Sequence, residues 1–181
     1  MKITITEALA EIKTIGKRLE KKRESVFQYI GRQEGIKDPL EKSGGSEKFI
    51  KQETQAIGDL ESRIIALRSG IQRTNDVTTV TIGTISRTIS EWLIWKRDVL
   101  PKSKEFLGKF RQVIQGIKDN AKRQGNMVVA KGETPQAPTD VIINMDEAKL
   151  ASQIENLEEV IGSLDGQLSL KNATTFVEIE D

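Results

Sequence analysis

Residues 46–75 read SEKFIKQETQAIGDLESRIIALRSGIQRTN, and the fold follows from their spacing. Ile50, Ile57, Leu60, Ile64, Leu67 and Ile71 fall on one stripe, with Glu53 and Thr74 as its polar steps. The intervals alternate three and four, which holds side chains on one seam of a long helix. Lys51, Gln52, Gln55, Asp59, Arg63, Arg68 and Gln72 lie between them as a solvated face. Thirty residues at the helical rise make a rod of about 45 Å. A seam one stripe wide is not stable alone, so other helices must lie along it.

Working outward, three more segments show the same period. Thr4 with Glu7 forms a capping-box signature, and Ile5, Ala8, Ile12, Ile15, Leu19, Val26 and Tyr29 follow as a heptad stripe with Lys22 as its polar step. That predicts a helix over 5–30. Gly35, Asp38-Pro39 and Ser43-Gly44-Gly45 then punctuate a connector long enough to reverse the chain. The central helix is predicted over 46–75, with Ser46 as its cap and Asn75 in a left-handed terminus. Val77 to Ile82 alternates and is β-branched, which predicts a strand over 77–82. A third helix is predicted over 85–122, capped by Thr84 or Ser86, with Ile85, Ile89, Trp92, Val99, Phe106, Phe110, Val113 and Ile117 in phase. The phase persists across Pro101, which predicts a kink there. Residues 124–139 lose periodicity, with a brief strand expected near 127–130. A strand over 140–143 leads to a fourth helix over 145–169, whose cap is expected at Asn144 and whose seam is Leu150, Ile154, Leu157, Ile161, Leu164 and Leu168. The tail alternates like an edge strand over 174–179. The expected architecture is mainly α: one elongated domain over 1–181, an antiparallel bundle or coiled-coil hairpin of four long helices with a small sheet at one end.

Composition narrows the chemistry. The chain has 181 residues, no Cys and no His. That removes disulfides, zinc–thiolate sites, thiol nucleophiles and the commonest general base and metal ligand. Aromatic residues make up 4%, as suits packing by Leu, Ile and Val knobs. No glycine-rich phosphate loop or nucleophile elbow is present. Glu34, Asp38 and Glu41 cluster in the first connector but lack the alternating oxygen ligands of a calcium loop, so they read as solvated. No catalytic, cofactor-binding or metal-binding residue is assigned, and an enzyme is not expected. No signal-peptide core or membrane-length apolar run is present.

Net charge is +1 but uneven. Residues 84–123 hold ten Lys/Arg against four acids, and residues 124–181 hold three against eleven. The basic and acidic segments are expected to attract each other, within a subunit or between subunits. Nucleic-acid binding through 84–123 is the competing reading, weakened by the absence of stacking aromatics between the basic residues.

Several phrases in order resemble one family: Ile5-Thr6-Glu7-Ala8-Leu9, Arg32-Gln33-Glu34-Gly35 with Asp38-Pro39, Ile71-Gln72-Arg73-Thr74-Asn75, and Leu164-Asp165-Gly166-Gln167-Leu168. Together they are similar to the septicolysin-like family of small helical proteins from bacteria and phages. Pro101 and the extended tail through Ile179 depart from that family's pattern. The family name implies a thiol-activated cytolysin, a chemistry closed to a chain without Cys. A membrane-active or pore-forming protein is therefore the runner-up.

The expected function is structural: a self-associating assembly protein acting through helical surfaces, in a bacteriophage virion or the bacterial cytoplasm. Other virion proteins are possible partners, while nucleic acid and membrane are disfavoured. Trp95, off the seam, Arg73 and Asn75 at a helix end, and Phe176, Val177 and Ile179 on the tail are the expected interface residues. Tryptophan in particular is enriched at interfaces.

Overall fold

The computed structural model describes residues 1–130 and 132–179; residues 131, 180 and 181 of the expected 1–181 domain lie outside them. The elements run β1 (Lys2–Thr4), α1 (Ile5–Phe27), α2 (Ser46–Val77), β2 (Thr79–Ile82), β3 (Ile85–Thr88), α3 (Ile89–Ile94), a π-helical segment (Trp95–Val99), α4 (Leu100–Gln124), β4 (Val128–Val129), β5 (Val141–Ile142), α5 (Glu147–Thr174) and β6 (Phe176–Glu178). The protein is mainly helical, with strands paired two by two. It divides into two compact units, Met1–Thr78 with Leu168–Asp181 and Thr79–Gln167, where the sequence predicts one elongated domain.

In the first unit the Thr4–Glu7 capping box forms as predicted. Thr4 Oγ1 accepts from the Glu7 N–H at 3.2 Å, and the Thr4 N–H donates to Glu7 Oε2 at 2.8 Å. These bonds satisfy donors that a helix start leaves unpaired. α1 and α2 run antiparallel, joined by ion pairs from Lys22 to Glu53 and from Arg63 to Glu11, each at 2.8 Å. Lys22 and Glu53 are the polar steps of their two seams, and here they answer each other. Both side chains are half-buried, and a pair that still meets water contributes on the order of 1 kcal/mol. Its larger effect is on register, because a slip would set each charge against an apolar neighbour.

The core of this unit is built from Ile5, Ala8, Ile15 and Leu19 of α1 and Leu67 and Ile71 of α2. Farther along the α2 seam, Ile50, Ile57, Leu60 and Ile64 are only half-buried. β6 pairs antiparallel with β1, Ile3 opposite Val177, and packs on α2 at Gly70. A Cβ there would lie 2.7 Å from Val177 Cγ1 and 3.2 Å from the Glu178 carbonyl oxygen. Any side chain at residue 70 would push the strand off the helix.

The second unit opens with a β2–β3 hairpin, Ile82 opposite Ile85. Gly83, at φ 57°, takes the left-handed position that a two-residue loop requires. Thr88 and Glu91 form a second capping box at the start of α3. Trp92 is fully buried and its Nε1–H donates to the Val80 carbonyl at 2.9 Å, tying α3 to the hairpin. Further on, Ile114, Ile143 and Leu150 form an apolar cluster with Leu107, Phe110, Ile117, Val128, Met145 and Ile154 around it. Lys118 pairs with Glu147 at 2.7 Å, and Lys96 pairs with Asp165. Those two pairs run α5 antiparallel to α4. β4 and β5 pair in parallel beside them.

Several sequence expectations are corrected. The single small sheet is three separate two-stranded sheets. Residues 85–88 are strand, not the first turn of a helix, so Thr88 is the cap and not Thr84 or Ser86. Ser46 sits inside α2 behind Gly45, and the capping oxygen comes from Asp38. α2 runs on to Val77, so Asn75 is helical; no described residue other than glycine has positive φ. α5 starts at Glu147, with Asp146 Oδ1, not Asn144, accepting from the Lys149 N–H.

The phase across Pro101 is also corrected. In the π segment the Leu100 N–H bonds to the Trp95 carbonyl, five residues back. Each such turn spends one residue more than an α turn. The buried stripe therefore passes from Trp92 to Leu100 instead of Val99, and continues as Leu107, Ile114 and Ala121. Pro101 is the second residue of α4, directly after the π segment, whose wider turn is where the helix absorbs a residue with no N–H to give.

Candidate interaction surfaces

The sequence-predicted interface residues fall in different surroundings. Trp95, in the π segment, is half-buried and meets Trp92 edge-on, ring centroids 5.5 Å apart. The Arg87 guanidinium lies 4.9 Å from the Trp92 ring centre and 5.9 Å from that of Trp95. A cation over aromatic faces holds both rings in place. Val177 and Ile179 are spent inside the chain, buried where β6 meets β1 and α2. Asn75 is half-buried on α2, and its Oδ1 is buried without a hydrogen-bond partner.

Arg73 and Phe176 come together. They line an open cleft of about 890 Å³ in the first unit, with Lys2, Thr74, Val77 and Glu178 among its other walls. Phe176 is 52% exposed, and the Lys2 ammonium sits 5.2 Å from its ring centre. Val77 is 77% exposed, the most open of the large apolar side chains among the described residues. The sequence reading placed Val77 in a strand and missed it here. Its spacing of three and four from Thr74 and Arg73 marks it as a helix neighbour of both.

The first connector is organised by Asp38. Its Oδ1 accepts from the Leu40 N–H at 2.8 Å and from the Ser46 hydroxyl at 2.6 Å, and its Oδ2 accepts from the Ser46 N–H at 2.7 Å. Both oxygens are thus engaged, Oδ2 in capping α2 and Oδ1 in tying the connector to the cap. The bonds from Ser46, then that from Leu40, hold the carboxyl below the ordinary Asp range. Because the folded pKa is the lower one, this stabilisation is complete above the unfolded value and fades as pH falls through the folded one. Amide-exchange protection at Leu40 and Ser46 should therefore drop as pH falls below about 4. Asp38→Asn should flatten that profile; identical profiles in the two proteins would refute the assignment.

Among the described residues no group of three or more His, Cys, Asp or Glu is set to hold a metal ion. No helix among them is long and apolar enough to cross a membrane.

No protein-family model matches the chain, and no curated protein matches it. A solved structure does: a functionally unknown conserved protein from Corynebacterium diphtheriae, 19% identical, with TM-score 0.54, over 98% of this chain and 100% of that one. The two chains share a fold. At that identity the likeness extends to the fold alone.

Proposed function

We propose that this is a non-enzymatic structural or assembly protein that works through its helical surfaces and associates with further copies of itself. The observation that carries this reading is the meeting of Arg73, Phe176 and the exposed Val77 in one cleft. Lys2, Arg73 and Glu178 put both signs of charge around the apolar groups. A face that carries both signs can complement its own copy across a two-fold axis. The long antiparallel bundle with coiled-coil seams belongs to the same reading, supported by the paired polar steps Lys22 and Glu53. The resemblance to the septicolysin-like family sets such a protein in bacteria or their phages, with a virion component as the specific form.

Sedimentation velocity tests it. The wild-type chain should sediment as a dimer or larger at micromolar concentration. Val77→Glu with Phe176→Glu should give a monomer with an unchanged helical circular-dichroism spectrum, since both side chains are exposed in the single chain. A wild-type monomer under those conditions would overturn the reading.

A further inference from the structure

The apolar positions of α4 and of Val99 just before it form two neighbouring stripes, and only one is covered. Of the inner stripe, Leu100, Ile114 and Ala121 are buried and Leu107 half-buried, and Leu107 and Ile114 pack in the cluster that includes Ile143, Leu150 and Ile154. The outer stripe is Val99, Phe106 and Val113, each seven residues from the next, at 44%, 61% and 60% exposed. Phe110 and Ile117 stand between the two, half-buried. Phe106 packs edge-on against Phe110, centroids 4.6 Å apart, which fixes it as a protruding knob. The extra residue in the π segment causes this: it turns the inner stripe inward and leaves the outer one unpartnered.

We propose that this outer stripe docks an acidic amphipathic helix from a different protein. A heptad-spaced seam one residue wide fits the knobs of a helix, whereas a bilayer surface takes a broad apolar face. The charge comes from α4 itself, which holds seven Lys/Arg against two acids. Lys102 and Lys109, both exposed and seven apart, border the open stripe on its outer side, where Lys109 also pairs with Glu105 of the same helix at 2.7 Å, a surface pair that contributes only about 0–1 kcal/mol. The same chemistry is already satisfied on the inner stripe. There the covering helix, α5, carries five acids against one Lys over residues 147–167 and pairs Glu147 with Lys118. A second copy of α4 would bring Lys102 and Lys109 against basic residues. Among the described residues no other helix of this chain keeps large exposed apolar side chains at heptad spacing: α1 shows Leu9 and Phe27, α2 Ile65 and Val77, α3 the adjacent Leu93 and Ile94, α5 Leu170.

The proposal is independent of the cleft in the first unit. Its test is fluorescence anisotropy of the full chain with a labelled synthetic peptide of three heptads, Leu at the seam positions and Glu flanking them. A Lys-flanked version and a scrambled acidic version serve as comparisons. The acidic amphipathic peptide should bind, the other two should not, and binding should weaken with salt. Phe106→Glu with Val113→Glu should weaken it by about tenfold or more, with Leu9→Glu unchanged. Should the double variant melt early, Lys102→Glu with Lys109→Glu replaces it; it should lose the acidic peptide and gain the basic one. Several results would overturn the proposal. These are no binding, equal affinity for the basic or scrambled peptide, a dimer dissociated by Phe106→Glu, or phosphatidylserine vesicle binding that depends on the same two residues. Apart from a dimer dissociated by Phe106→Glu, none of them bears on the sedimentation of Val77→Glu with Phe176→Glu, so the peptide measurements and the cleft reading fail separately.

Discussion

Replacing Trp92 by alanine should lower stability by about 3–5 kcal/mol, the cost of emptying a large buried aromatic site. Among the described residues no other aromatic side chain is as buried: Trp92 is at 0% exposure. It joins three elements at once, through the Nε1–H bond to Val80 of β2, the edge contact with Trp95 in the π segment, and the Arg87 guanidinium of β3 over its ring. Trp92→Phe keeps most of the apolar body but leaves the Val80 carbonyl without that donor, a loss of about 1–3 kcal/mol. Chemical unfolding should therefore order the midpoints wild type, Phe, Ala. An alanine variant within about 1 kcal/mol of wild type would mean that the hairpin and α3 are not held together by this ring.

Much of the helical layout was legible because its determinants are local. The Thr4–Glu7 box needs only residues three apart, and it forms. The seams of α1 and α2 even announced their polar steps, although not that Lys22 and Glu53 would meet. The third helical segment was misread for a physical reason. Val99, Phe106, Phe110, Val113 and Ile117 keep perfect heptad spacing, but so do Leu100, Leu107, Ile114 and Ala121 one position along. Which stripe turns inward depends on one additional residue in a helical turn beside Pro101. No periodicity count reveals that turn. The Thr88–Glu91 signature was available and would have set the start of α3 correctly; the β-branched run before it ended at Gly83, which hid the returning strand.

The candidate surfaces were legible in part. Arg73 and Phe176 stand out from different ends of the chain for different reasons, and the packing of β6 on α2 at Gly70 brings them to one cleft. Val177 and Ile179 alternate with Phe176, so an edge strand was readable. Its partner was not, because a pairing between residues 3 and 177 leaves no local trace. The glycine that seats this strand, Gly70, sits unremarked inside a helical seam. Only the 2.7 Å approach of Val177 explains it.

The second large effect is expected in α5. Its seam of Leu150, Ile154, Leu157, Ile161, Leu164 and Leu168 has no polar step, and burial follows it: Leu150, Leu164 and Leu168 are buried and the other three half-buried. Lys118–Glu147 and Lys96–Asp165 set this helix antiparallel to the α4 side of the second unit. Leu164 is 1% exposed, so Leu164→Ala should cost about 2–5 kcal/mol, with its place in that range set by how far the walls relax. Leu157→Ala should cost less, because part of its side chain already meets water. The two sites lie two turns apart on one seam, so their losses need not add. Glu155, Glu158 and Glu159 are exposed, and alanine at each should change stability by no more than about 0.5 kcal/mol. Thermal melts of the double leucine variant and the triple glutamate variant separate the cases. A double leucine variant that melts with wild type would show that α5 is carried by its ion pairs and not by its seam, which roughly 0–1 kcal/mol per exposed pair could hardly sustain.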